Sequence, residues 1–238
     1  MKTAFVAGAS SDIGLAVCRR YVDAGWRIVA HYRAMRPEFE CFLSENSHAV
    51  VSWRCDFSDL GALESALRDD PSFFTRADAL IVLAACMPKT DFLSVTAQDI
   101  AATFAVNVIP GLLLMKTIGP AMVERGFGRI VHGSSIGVKF GGGKDSFCYS
   151  LSKHAQEFIP NAARKWAALN VLVNVARIGV TDTRAHAHFP QKNLDDRVQL
   201  IPAKRMATRE EVAEALYWLG SEKNGYISGQ TLPISGGE

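Results

Sequence analysis

The sequence has almost no net charge. Twenty-six lysines and arginines face 24 aspartates and glutamates, which leaves +2, and no block of like charges occurs. That balance removes the electrostatic footprint of a nucleic-acid binder and gives no charged tail. Cysteine is scarce as well. The five residues, Cys18, Cys41, Cys55, Cys86 and Cys148, are odd in number, scattered and without metal-ligand spacing. This argues against a disulfide framework or a metal site and fits reduced thiols in a cytoplasm. No apolar run reaches the roughly 20 residues of a membrane span, so no membrane contact is expected. The N-terminus enters a strand-like run with no basic region or cleavage site, so no signal peptide is expected either. Repeats, low-complexity tracts and linkers are missing, which predicts one domain over residues 1–238. What remains is apolar material: 48% hydrophobic against 21% charged residues, enough for a substantial core.

The first stretch, Lys2 to Ala7, is a short apolar run that breaks at Gly8-Ala9-Ser10-Ser11-Asp12-Ile13-Gly14. Amphipathic spacing follows through Leu15, Val17, Cys18 and Tyr21 and stops at Gly25. Strand, glycine turn and helix in that order open a dinucleotide-binding βαβ unit, with helix-start amides ready for a pyrophosphate. Gly8 would allow the tight turn and Gly14 a close approach of helix to strand. The same pattern also fits a glycine turn before any buried helix. Arg27 to Tyr32 reads as the second strand. An acid at its end would bind the adenosine ribose, whereas an arginine would accommodate a 2′-phosphate. The tip is His31-Tyr32-Arg33, with no carboxylate until Glu38, which favours NADP over NAD. The alternative is a solvated loop arginine.

Further strands are predicted at Ala49–Asp56, Asp78–Ala85, Gly128–Gly133, Val171–Ala176 and Gln230–Ile234. Between them, a helix starts near Ser58 or Asp59, and another runs from Ala97 to Arg125, where Pro110 and Pro120 should kink or interrupt it. Asn107 falls in the apolar part of that helix. A buried asparagine needs amide partners, as a structural clamp or as part of a site. Ser134-Ser135 follows the fifth strand, at the edge where α/β ligands bind. Asp182 to Arg205 is polar and poorly periodic, as a substrate lid would be, and carries His186 and His188. Thr208 and Glu211 predict a capped helix start.

The centre of the pattern is Tyr149-Ser150-Leu151-Ser152-Lys153. Residues four apart lie on one helix face, so the ammonium of Lys153 can stand beside the phenol of Tyr149. A tyrosine with a reference pKa near ~10 exchanges protons poorly at neutral pH, and a nearby positive charge favours its phenolate. Pro160 should break this helix.

Taken together, the Gly8–Gly14 loop, Asp56, the Val-Asn dipeptide ending at Asn107, Gly128-Arg129-Ile130-Val131 before Ser134-Ser135, and Tyr149-x-x-x-Lys153 occur in a telling order. So do Val173-Asn174, Gly179 with Thr183, and Tyr226-Ile227-Ser228-Gly229-Gln230-Thr231-Leu232. The chain resembles the short-chain dehydrogenase/reductase family over nearly its full length. It stands nearest in pattern to 3-oxoacyl-acyl-carrier-protein reductases. The resemblance implies a doubly wound, seven-stranded parallel Rossmann sheet. It implies hydride transfer between NADP(H) and a carbonyl or secondary alcohol, possibly a 3-oxoacyl thioester, in a cytoplasmic homotetramer or dimer. Tyr149 would handle the proton, and Lys153 would bind the nicotinamide ribose and lower the phenol's pKa. Ser135 would hydrogen-bond the substrate oxygen, with Ser134 as its competitor, and Asn107 would hold a water in a relay from Lys153. The cofactor would lie against Gly8, Ser10, Ser11, Asp12, Ile13, Gly14, Tyr32, Arg33, Asp56, Ala84, Ala85, Gly179, Thr181 and Thr183.

Several positions depart from the family pattern. Its threonine before the first glycine is Ala7, its middle glycine is Asp12, and its Asn-Asn-Ala-Gly is Leu83-Ala84-Ala85-Cys86. Ile178-Gly179 stands for its Pro-Gly. These departures imply a repacked apolar brace, an Asp12 turned away from phosphate to cap the first helix, and crowding at Cys86. They keep open two other readings: a non-catalytic NADP-binding module and an NAD-preferring dehydrogenase.

Overall fold

The computed structural model describes residues 1–185 and 194–238. Its strands are β1 (Thr3–Ala7), β2 (Arg27–Tyr32), β3 (Val50–Arg54), β4 (Ala79–Val82), β5 (Gly128–Ser135), β6 (Val171–Ile178) and β7 (Thr231–Ile234). Its helices are α1 (Asp12–Asp23), α2 (Pro37–Glu45), α3 (Leu60–Asp69), α4 (Pro71–Thr75), α5 (Ala97–Asn107), α6 (Ile109–Arg125), α7 (Phe147–Ala155), α8 (Asn161–Lys165), α9 (Leu194–Leu200) and α10 (Arg209–Leu219).

The strands form one seven-stranded sheet in the order β3-β2-β1-β4-β5-β6-β7, with every pair parallel. Alternation along β1 sends Ala4 and Val6 to one face and Phe5 and Ala7 to the other, and all four are fully buried. On the first face α1 and α10 supply Val17, Tyr21, Val212 and Leu216. On the second, α3 and α6 supply Leu63, Leu114, Ile118 and Met122. Helices on both faces of a parallel sheet make the doubly wound arrangement that the apolar runs predict. Between β1 and β4 the strand order reverses, the place where ligands of such sheets bind.

Differences from the sequence reading have physical causes. β5 and β6 each run two residues beyond their apolar runs, because Ser134 pairs with Arg177 and Ser135 with Ile178. The region Ala97–Arg125 is 29 residues long and apolar enough to match a membrane span in composition, which corrects the expectation that no such run exists. Here it is a pair of helices, α5 and α6, parted at Val108, and α6 buries Leu114, Ile118 and Met122 against the sheet. Pro110 sits in the first turn of α6, where its missing N–H costs nothing. Pro120 lies inside α6 without ending it, since packing outweighs the local penalty. Asp59 is the N-cap of α3, and its carboxylate accepts from Ala62 N at 2.9 Å. Pro160 ends up as the N-cap of α8, past the end of α7. Thr208 and Glu211 form the expected capping box. Within the polar stretch α9 is helical, while His186 and His188 lie outside the described residues.

Candidate active site

At the carboxyl end of β1 the chain turns through Gly8, whose φ of +89° is left-handed, and a Cβ there would stand 2.7 Å from Ala84 N. A Cβ on Gly14 would run into Gly8 O, so α1 starts almost in contact with the turn. Ser11, not Asp12, caps α1: its hydroxyl accepts from Gly14 N at 3.0 Å and donates to Gly8 O at 2.8 Å. The expected capping by Asp12 is thereby corrected. Asp12 turns instead to Arg184, whose backbone N–H donates to Oδ2 at 2.7 Å while its guanidinium binds Oδ1. Burial alone would raise the Asp12 carboxyl, but these contacts outweigh it and hold the carboxyl below its usual range. Ser10 and Ile13 are half-buried on either side, Ile13 against the core.

His31, read from the sequence only as part of a strand tip, braces the same turn. Its Nδ1 accepts from Gly8 N at 3.0 Å, its Nε2 lies 3.0 Å from Cys55 O, and its ring stacks on Phe57 at 3.9 Å. Gly8 N can only donate, so Nδ1 is bare and Nε2 carries the proton. Burial pushes this imidazole down to about 4. Beyond it Tyr32 packs on Phe39, and Arg33 is exposed, with Arg54 donating to its carbonyl oxygen. Asp56 Oδ1 accepts from both Ser58 N and Ser58 Oγ, at 2.9 and 2.8 Å, and feels the charge of Arg33. A depression of about 360 Å³ opens at the β3 edge, lined by Trp53, Arg54, Asp56 and Ala66 among others. Of the candidate residues it includes Asp56 alone, so hydrogen bonding, not concavity, locates the site.

Past β4 the brace is apolar, as the departures imply. Leu83 N donates to Ala7 O at 2.8 Å, and the Leu83 side chain covers Gly133. Ala84 abuts Gly8, Ala85 is exposed, and Cys86 is gripped at both ends of its peptide by Asn107. The Asn107 amide is fully used: Oδ1 accepts from Cys86 N, and Nδ2 donates to Cys86 O and Ser152 Oγ. Its side chain is a clamp joining α5, α7 and the segment after β4. Between Lys153 and the Asn107 carbonyl stands Gln156, whose Nε2 donates to Asn107 O.

The two serines of β5 part company. Ser134 is buried and donates toward Lys153 O and Glu157 Oε1, at 3.1 and 2.8 Å, and Glu157 in turn pairs with Arg177. Ser135 caps the short turn Ile136–Phe140, its Oγ accepting from Gly137 N at 3.2 Å, and its hydroxyl stands near enough to the Tyr149 phenol to favour the phenolate. Tyr149 rises from α7, whose N-terminus lacks a side-chain cap of its own. Thr90 serves it: its carbonyl accepts from Phe147 N and its hydroxyl from Cys148 N. Lys153 Nζ donates to Gly133 O at 2.7 Å and to Gln156 Oε1 at 2.8 Å, and lies 5.8 Å from the Tyr149 ring centroid. Burial pushes its ammonium down to about 8, against an opposing pull from Cys86. Burial also raises the Tyr149 phenol, and the Ser135 hydroxyl offsets this only in part. The Lys153 ammonium points to Gly133 and Gln156.

The last segment lines the far side of the crevice. Gly179 packs so closely on β7 that a Cβ would meet Ser235 Cα at 2.7 Å. Thr181 is buried with its hydroxyl on Gly179 O, and Thr183 is half-buried one residue before Arg184.

A family described as enoyl-(acyl carrier protein) reductase matches residues 8–238. The chain belongs to the short-chain dehydrogenase/reductase family. Among its relatives, the acetoacetyl-CoA reductase of Rhizobium meliloti (strain 1021) is 29% identical, covering 100% of this chain and 98% of that one. The (3R)-3-hydroxyacyl-CoA dehydrogenase of Canis lupus familiaris is 30% identical over 98% of this chain and 95% of its own. A 3-oxoacyl (acyl-carrier-protein) reductase from Agrobacterium tumefaciens C58, solved with NADP bound, superposes with a TM-score of 0.87 at 25% identity, covering 100% of this chain and 94% of that one. As a member of this family of oxidoreductases, the chain keeps its Ser, Tyr, Lys and Asn pattern while rebuilding the brace around the glycine turn. Thr90, His31, Gln156 and Arg184 were not singled out from sequence. Only Gln156 left a trace there, as a polar residue three after Lys153 on the face shared with Tyr149.

Proposed function

We propose that this protein is a cytoplasmic NADPH-dependent carbonyl reductase acting on a 3-oxoacyl thioester. The observation that carries the reading is the placement of Lys153 Nζ 5.8 Å from the Tyr149 ring, with the Ser135 hydroxyl acting on the same phenol at the carboxyl edge of the sheet. The crevice suits a dinucleotide: Gly8 and Gly14 leave a cradle that a Cβ would fill, α1 points its positive end there, and Arg184 answers the only acid in the loop. Gly8, Ser10, Ser11, Ile13, Gly14, Ala84, Ala85, Gly179, Thr181 and Thr183 would hold it, with Arg33 and Tyr32 at the adenosine end and Asp56 by the adenine. When bound, a nicotinamide supplies the hydride. Ser135 would orient the substrate oxygen, and Tyr149 would hand its phenolic proton to that oxygen as negative charge develops. The ammonium of Lys153 would stabilise the phenolate left behind, and Asn107 would keep α7 in register. The relatives named for acetoacetyl-CoA and 3-oxoacyl substrates support the thioester, and the NADP-bound neighbour supports the cofactor.

The test is NADPH consumption with acetoacetyl-CoA, and with crotonyl-CoA as the enoyl control, for the native chain and Tyr149→Phe. Acetoacetyl-CoA turnover that Tyr149→Phe lowers by roughly a hundredfold or more supports the reading. NADPH binding with no turnover on a broad keto panel would make the chain a cofactor-binding module instead, and turnover of crotonyl-CoA alone would reassign the bond reduced. Self-association belongs to the same proposal: Leu112, Leu151 and Phe158, on and just beyond α6 and α7, are exposed apolar residues that a second copy would cover. Light scattering is expected to give a dimer or tetramer, and Leu112→Glu with Phe158→Glu should reduce the mass. A monomer at micromolar concentration would refute self-association.

A further inference from the structure

We infer that Gln156 is a positioning residue, fixing the direction of the Lys153 ammonium by bridging it to the main-chain carbonyl of Asn107. The inference rests on Lys153 being a working group of the proposed reductase. Gln156 is the C-cap of α7, only 5% exposed, with its backbone N–H on Ser152 O. Both ends of its amide are engaged. Oε1 accepts from Lys153 Nζ at 2.8 Å and Nε2 donates to Asn107 O. The opposite amide orientation would set N–H against ammonium and oxygen against oxygen, so the network admits a single assignment. Lys153 also donates to Gly133 O at 2.7 Å. An ammonium has three donors, and two are thus committed to β5 and to Gln156, which leaves one to meet a ligand.

A neutral acceptor at this place has a consequence that a carboxylate would not. The groups facing Lys153 are the His132 imidazole from β5, the Cys86 thiol from the segment after β4, and the Tyr149 ring on its own helix. Burial keeps His132 uncharged down to about 4. Glu157, next along the chain from Gln156, is turned to Arg177 and Ser134. The ammonium is therefore held by dipoles alone, in a buried setting that favours its release of a proton near neutral pH.

The experiment compares the native chain with Gln156→Glu and Gln156→Met. It measures the pH profile of NADPH-dependent acetoacetyl-CoA reduction and, by cofactor fluorescence, NADPH affinity against pH. Gln156→Glu keeps the size and the acceptor but adds a charge, so the alkaline limb should move up by about one to two pH units. Gln156→Met removes the acceptor, so the limb should move down, with kcat falling more than KM rises. Unchanged limbs in both variants, with only a lower Tm, would overturn the inference and leave Gln156 as a packing residue. Failure of the reductase reading looks different: native chain that binds no NADPH, or turnover that Tyr149→Phe leaves intact.

Discussion

Two charges at the crevice are handled in opposite ways, and the difference bears on cofactor choice. Asp12 stands at the positive end of α1, where a phosphate would sit, and its carboxylate is fully answered by the backbone and guanidinium of Arg184. It therefore presents little repulsion to an anion. Arg33 lies exposed at the tip of β2, beside the β3 end that carries Arg54 and Asp56. A hydrogen bond to a charged partner contributes roughly 1.5–3 kcal/mol, so losing one should cost about ten- to a hundredfold in affinity. Arg33→Ala is expected to weaken NADPH by that factor and to leave NADH nearly unchanged, as read by fluorescence titration. The two cofactors should then bind about equally, whereas the native chain prefers NADPH. A native chain that binds both alike would reject the preference for NADP.

At the level of elements, much of the architecture could be read directly because its causes are local. Parallel strands buried through their middle show as apolar runs, so Arg27–Tyr32 was placed to the residue. Turn and cap chemistry is local too, hence Gly8, the Thr208–Glu211 box and the halt before Pro160. The ends of β5 and β6 were missed because pairing between two strands, not apolar character, extends them through Ser135 and Ile178. The α5–α6 span was underestimated for the opposite reason: a helix pair sandwiched on a sheet is as apolar as a membrane segment. In the site, Lys153 was legible because helical spacing puts it beside Tyr149, and Ser135 only through the family resemblance, with Ser134 as its competitor. The contacts that orient them were not. Gln156 to Asn107, Ser134 to Glu157 to Arg177, and Arg184 to Asp12 bridge positions distant in sequence. No periodicity encodes such pairs. Asn107 was left between clamp and site for the same reason, and its hydrogen bonds to Cys86 and Ser152 make the side chain a clamp.

For the molecule as a whole, two buried histidines set a pH dependence that the net charge of +2 does not suggest. His31 ties the glycine turn to Cys55 and Phe57. His132 lies in β5 against α6, where a Cβ on Gly111 would meet its ring at 3.3 Å. In each, burial holds the imidazole neutral down to about 4, and for His132 the Lys153 ammonium adds to the effect. In the unfolded chain an imidazole takes up its proton near ~6.5. Between these values the unfolded chain binds more protons than the folded one, so stability rises with pH across the window and falls as the solution is acidified. The fall should reach about 2–3 kcal/mol per histidine by roughly pH 4.5, most of the full difference between the two states. Carboxylates held low by partners, Asp12 and Glu157 among them, add a separate loss only as pH drops further, through their own depressed values. Urea unfolding from pH 7 to 4.5 should therefore show a falling midpoint. His132→Asn should remove about half of that fall, since one of the two buried titrations is gone while the His31 brace stays. A midpoint that is flat over this range in the native chain would mean that both imidazoles are reached by water and protonate in the folded state. The glycine turn would then lose its brace in weak acid without the chain unfolding, and NADPH affinity would fall below about pH 6.5 while the unfolding midpoint stayed put.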